Sequence, residues 1–351
     1  MARIRPRGRR RVDAAHCSVR GTSRCLVCAV RGVDRSDACE HRRWSAAARH
    51  CGNRRKRRGA AVNTTLELTD APQPTKKPRS AIWQPRQPVF WLLLVLLAVS
   101  VYLTVLQLAA LISGVQGLLA ALVLGGIQVV LLALIARVLP KVKGRQPASL
   151  RLVALAWGGL VACSFAAEAN TAASELYGKI GLSSFAASLS APINEDLLRL
   201  LGVLLVLSLA WSLGRLTVMD GVVYGFIVGA GFEIIENLFY ALHSTDFMAT
   251  VSTGIMRLLV GFGLHALWTT VGGAALAYCL SRRQIGLSAR WWVIVPCMLV
   301  PMLLHAAWDA PHFSMFTVLT FALLFVYYGL TVTAFLLAVR WGRRSDAALL
   351  A

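Results

Sequence analysis

From residue 88 to residue 340 the chain runs in long apolar blocks separated by short polar loops. A helix needs about 20 mostly apolar residues to cross the ~30 Å hydrocarbon layer of a bilayer. On that measure the blocks predict helices over 88–112, 117–139, 150–172, 187–213, 217–243, 254–280, 291–312 and 315–340. The fourth, fifth and sixth are interrupted by polar residues, so the loops help to define them. The expected fold is all-α: a polytopic integral membrane protein with about eight transmembrane helices.

The loops give an orientation through the excess of Lys and Arg on the cytoplasmic side. "KVKGR" (141–145), Arg215, "SRRQIGLSAR" (281–290), "RWGRR" (340–344) and the basic N-terminal stretch fall on one side. The loops "ISGVQ", "ASELYGKIGLSS", "HSTDFMATVST" and "APHFSM" fall on the other and hold a single Lys179. Eight spans keep every basic loop inside, with both termini cytoplasmic; seven or nine would break the alternation. This reads as a multi-pass protein of the cell membrane.

Composition sharpens the division of the chain. At 57% hydrophobic and 15% charged residues, the sequence is too apolar for a soluble globule of this length. Residues 1–87 hold 22 of the 37 Lys and Arg against 6 of the 16 acids, a balance of +16, and leave +5 for the rest. The charge therefore belongs to a tail and gives no reason to expect a specific nucleic-acid partner. Three segments follow: a basic tail over 1–87, an eight-helix membrane domain over 88–343, and a short C-terminal tail over 344–351. The basic tail lacks the apolar content to fold and is expected to be disordered. Residues 1–61 could also be upstream sequence, with translation starting at Val62. Cys25-x-x-Cys28 followed by Cys39, His41, His50 and Cys51 has the outline of a zinc knuckle, without apolar residues to build a small domain. Cys163, Cys279 and Cys297 stand alone in apolar runs and read as packing residues.

The membrane domain carries polar groups that lipid does not tolerate. A charged side chain near the bilayer centre costs at least ~3 kcal/mol on insertion scales, so such residues face a cavity or a partner. Counting 1.5 Å per residue from the predicted outer boundaries, Glu195 lies about 12 Å deep, Glu236 about 10 Å, His265 about 16 Å and His305 about 10 Å. Four consecutive helices thus bring Glu, Glu, His and His to similar depth in the outer half, within residues 186–312. His305 and Asp309 are four apart and share a helix face, as do Glu195 and Arg199, with Asp196 three before Arg199. Gly221, Gly225 and Gly229 form a ridge of small residues that admits a close neighbour. "HALW" and "HAAW" set a tryptophan one turn after each histidine, where it can wall a cavity.

Two imidazoles and carboxylates within reach of one another suit Zn²⁺, and a further carboxylate can serve as general base. At these residues the chain resembles the PrsW family of intramembrane proteases, distantly related to the CAAX prenyl protease group. The resemblance rests on Ala191-Pro192 with Glu195-Asp196-x-x-Arg199, on Phe232-x-x-x-Glu236-Asn237, on His305-x-x-x-Asp309, and on the His-Ala-x-Trp segment at His265. It covers about residues 186–312. Asp196 stands where the family has a second Glu, and Arg199 where it has Lys; Arg keeps the charge but cannot act as a base.

The resemblance implies an intramembrane metalloendopeptidase cutting a membrane-protein substrate near the extracytoplasmic side, such as an anti-sigma factor in regulated proteolysis. On this reading Glu236, His265 and His305 hold a divalent metal, Zn²⁺ by preference, and Glu195 activates its water. Asp309 orients a histidine. Asp196, Arg199 and Asn237 complete the catalytic set, Asn237 either donating to the substrate carbonyl or serving as a packing amide. Glu233 stands between a site role and a snorkelling one, and Phe232 reads as packing. The alternative is a proton- or cation-coupled transporter using the same buried Glu/His cluster, which would show inverted repeats or spans broken at Pro192, Pro296 or Pro301. A non-catalytic scaffold is the third reading. Glu168, Asn170, Asp220, His243, Asp246, Arg257 and His312 are expected to be structural or solvated.

Overall fold

The computed structural model describes residues 82–350, apart from 113, 139–145, 245 and 312–317. The chain divides into Met1–Gln73 and Pro74–Ala351. The first unit lies outside the described residues, together with the zinc-knuckle outline and the Val62 start. The "KVKGR" loop and His312 also fall outside them.

The described residues are all helical. In chain order the helices are α1 (Pro88–Leu111), α2 (Val115–Val138), α3 (Ala148–Lys179), α4 (Ala186–Trp211), α5 (Val218–Leu242), α6 (Phe247–Val260), α7 (Leu264–Gln284), α8 (Ile294–Trp308) and α9 (Val318–Leu350). Among the described residues, six segments are long and apolar enough to cross a membrane, or seven if the bent pair α6–α7 is one span. The outward faces of α1, α2, α8 and α9 are lined by exposed apolar residues such as Val95, Val130, Leu303 and Phe325. Facing water, such a surface would aggregate; facing lipid, it is at rest. This is a multi-pass membrane protein. α4 has 26 residues, long enough to span, but Glu195, Asp196 and Arg199 sit at its middle, and its composition does not mark it as a span.

α5 is the central helix, with 78% of its apolar window buried against 11–22% for α1, α2, α8 and α9. The glycine ridge explains how. A Cβ on Gly221 would come within 2.1 Å of the Gly273 carbonyl oxygen, and one on Gly225 within 2.7 Å of the Thr269 carbonyl oxygen. The close neighbour is α7. On the opposite side α3 makes a π-helical turn over Trp157–Ala162 that lays Gly158 and Gly159 against the backbone of α5. The same turn drives Trp157 under α4, where its Nε1 donates to the Leu198 carbonyl at 2.9 Å, one residue before Arg199.

The predicted sixth span differs from expectation. Instead of one helix over 254–280, α6 and α7 meet at a 42° bend across Gly261–Gly263. Gly263 has φ +82°, a left-handed backbone that favours glycine. Such a break frees backbone groups that lipid cannot satisfy. Here side chains from two other helices take them. Tyr328 lies 2.8 Å from the Val260 carbonyl and 3.2 Å from that of Phe262, and Glu233 accepts from the Gly263 N–H at 2.6 Å. Glu233 is fully buried and steadied by Gln128 Nε2 at 2.9 Å, so it caps a helix break rather than snorkelling. Pro192 and Pro301 lie inside helices that continue through them.

α9 runs on through the stretch expected as a C-terminal tail. Asp346 accepts from the backbone N–H groups of Val218 at 2.7 Å and Met219 at 3.1 Å, capping α5 in addition to the Thr217–Asp220 capping box.

Candidate metal centre

Five of the eight expected site residues line one cavity of about 350 Å³: Glu195 (α4), Glu236 (α5), His265 (α7), His305 and, just past the α8 C-terminus, Asp309. The positions are set by the packing just described. Gly229 presses α7 against α5 at His265, and the break at Gly263 starts α7 one residue before that histidine. Trp268 and Trp308 wall the cavity, and Trp268 stacks on His305 with centroids 4.8 Å apart.

Both ring nitrogens of each imidazole are engaged, so an ion would replace one contact at each ring. Glu236 Oε2 lies 3.0 Å from His265 Nε2, while Arg199 donates to His265 Nδ1. Asp196 Oδ2 lies 3.4 Å from His305 Nδ1, and Asp309 Oδ2 lies 3.3 Å from His305 Nε2. Arg199 also pairs with Asp196 and lies over the Phe232 ring, 4.5 Å from its centroid. The contacts form one chain, Arg257–Glu236–His265–Arg199–Asp196–His305–Asp309, in which every carboxylate meets a guanidinium or an imidazole.

Asp196, Arg199 and Asn237 are buried but do not line the cavity. Asn237 turns its Oδ1 to Arg257 rather than toward a substrate, a consequence of its position one residue round the helix from Glu236. Two residues expected to be structural touch the site instead. Asn170 donates to Glu195 Oε1 at 2.9 Å, and Arg257 pairs with Glu236. Both carry the signal that singled out the others, a polar group inside an apolar block. Of the others, Asp220 and Asp246 cap helices, Glu168 receives Gln107 near the surface, and His243 lines a neighbouring cavity shared with Glu195 and Glu236.

The residues fit a divalent ion. Glu195, His265 and His305 each offer a ligand atom, and these atoms lie within 4.8 Å of one another. Glu195 Oε2 is buried, makes no hydrogen bond, and lies 3.5 Å from His305 Nε2 and 3.7 Å from Arg199 Nη1. Two nitrogens and one oxygen also match the three-ligand sets of catalytic zinc sites.

No curated protein and no solved structure matches the chain. A family model described as PrsW family intramembrane metalloprotease matches residues 146–338, more than half of the chain and all of the cavity. By that match, over the helices that carry the buried Glu and His residues, the chain belongs to the PrsW family of intramembrane metalloproteases.

Proposed function

We propose that this protein is an intramembrane metalloendopeptidase that cuts a membrane-protein substrate near the extracytoplasmic face of the cell membrane. An anti-sigma factor is the substrate class the family resemblance suggests. The chain would cross eight times, α4 and the α6–α7 pair included, with both termini in the cytoplasm. The observation that carries the reading is the convergence of Glu195, His265 and His305 in a cavity within the helices.

The geometry favours an exchange of the roles expected for the two glutamates. Glu195, His265 and His305 would hold the ion, Zn²⁺ by donor type. Glu236, already committed to Arg257 and His265, would orient His265 from behind, as Asp196 would orient His305. A bound ion supplies Lewis acidity: it polarises the scissile carbonyl and acidifies a water. Asp309, at the cavity edge and partly exposed, is the carboxylate placed to accept a proton. Asn170 steadies the other oxygen of Glu195.

A second assignment keeps Glu195 as the proton acceptor, since its Oε2 makes no hydrogen bond and lines the cavity. Metal analysis of purified protein, paired with cleavage of a co-expressed single-span membrane protein, separates the two. Glu195→Gln should lose activity by at least ~10²-fold in either case. Loss of bound metal as well makes Glu195 a ligand; metal retained makes it the base. His305→Ala should lose both metal and activity. Wild-type protein that binds no metal and cleaves nothing would overturn the peptidase reading. Transport has no observation in its favour: the backbone groups freed at the one bent pair are taken by Tyr328 and Glu233 rather than left for a solute.

A further inference from the structure

Arg257 lies outside every motif that carries the family resemblance, on a helix of 14 residues, too short to cross a bilayer. Its guanidinium uses both donors of one edge at once. Nη2 donates to Glu236 Oε2 and Nε donates to Asn237 Oδ1, and the plane stacks 3.9 Å from the Tyr240 ring centroid. All three partners lie within five residues of α5. The side chain is 26% exposed and lines the cavity. Glu236 Oε2 therefore receives two donors, Arg257 from α6 and His265 from α7. In an unbroken helix, residues eight apart are about 12 Å apart along the axis and about 80° apart around it. The bend at Gly261–Gly263 lets both meet on one oxygen.

We propose that Arg257 is a positioning residue of the site: it fixes the Glu236 carboxylate and, through it, the ring of His265. This rests on the reading of the cavity given under Proposed function. Without Arg257, Glu236 keeps one partner and can turn into the cavity, and His265 loses the fixed acceptor behind it. Lys cannot substitute, because an ammonium offers neither the planar two-donor fork nor the plane that stacks on Tyr240.

The test uses Arg257→Gln and Arg257→Lys in the full-length protein, each also in a Glu236→Gln background. Three readouts apply: zinc affinity by chelator competition, kcat and KM on a single-span reporter, and the ring signals of His265 in ¹⁵N-histidine protein, assigned with His265→Gln. We expect both substitutions to weaken zinc binding and kcat by ~10–100-fold, the range for groups behind a ligand, with KM little changed. The His265 signals should shift. In the Glu236→Gln background neither substitution should add a further loss, since Arg257 acts through Glu236.

Normal zinc binding, kcat and His265 signals in Arg257→Lys would overturn the proposal and leave a simple charge pair. A raised KM with unchanged kcat would make Arg257 a substrate-binding group instead. Full additivity with Glu236→Gln would also sink it. If Arg257→Gln fails to accumulate in the membrane, Arg257→Lys decides alone. If wild-type protein neither cleaves nor binds zinc, the function reading falls, and the His265 signals still judge Arg257.

Discussion

Gly229 and His265 meet backbone to backbone: a Cβ on Gly229 would stand 2.3 Å from the His265 carbonyl oxygen. No rotamer relieves such a contact, because the obstacle is main chain. Gly229→Ala should therefore push α7 from α5 and destabilise the protein by at least the ~1–3 kcal/mol typical of overpacking. Activity should fall with it, since the displaced residue is His265. Gly125 has nothing within 4 Å of an added Cβ, so Gly125→Ala is the matched control and should change stability by less than about 0.5 kcal/mol. Thermal unfolding in mild detergent reads both; equal midpoints for the two variants would show that the α5–α7 contact is looser than described.

The helix break makes its own prediction. Glu233→Ala leaves the Gly263 N–H without its acceptor, and an orphaned buried donor costs ~1–3 kcal/mol. Glu233→Gln retains an acceptor oxygen and should lose less. Hydrogen exchange at the Gly263 amide should accelerate in the Ala variant and change little in the Gln variant. Equal exchange in all three proteins would mean that Glu233 does not cap the break.

Asp346 tests whether the end of α9 belongs to the membrane unit. Asp346→Ala removes the acceptor from the Val218 and Met219 N–H groups and should cost ~0.5–2 kcal/mol, with Asp346→Asn costing less. Unchanged unfolding in both variants would show that the capping box at Thr217 and Asp220 suffices alone.

Orientation is testable without activity. In a background lacking native cysteines, external labelling should modify a cysteine placed at Ser252 and spare one placed at Ser288. The reverse pattern would move the cavity to the cytoplasmic half and remove the assigned topology.

Much of this was legible in the sequence, for a physical reason. A carboxylate or imidazole in an apolar block is costly, so Glu195, Glu236, His265 and His305 stand out and converge in one cavity. Depth along the membrane normal follows from counting residues; the angle around each helix does not. That is why depth alone matches Glu195 and Glu236, and their separate roles, Glu236 on the ion and Glu195 on its water, come from the resemblance. Arg257 lies outside the motifs and so reads as structural or solvated, while the bend that brings it and His265 to one oxygen is visible only in the structure. The π-helical turn at Trp157 left no sequence signal either, since it depends on α4 and α5 packing around Gly158, Gly159 and Gly202.

The burial of the site bears on what can be cut. Glu195, His265 and His305 lie among the helices, with their candidate ligand atoms within 4.8 Å of one another. The carbonyls of a coiled membrane segment are held in that segment's own hydrogen bonds. On the proposed function, a substrate would have to offer its bond to these residues as extended chain. In lipid that uncoiling is expensive, and it is cheapest where a helix ends or where Gly or Pro has loosened it. The selection of a cleavage point would then rest less on reading side chains than on which part of a partner's helix comes undone first.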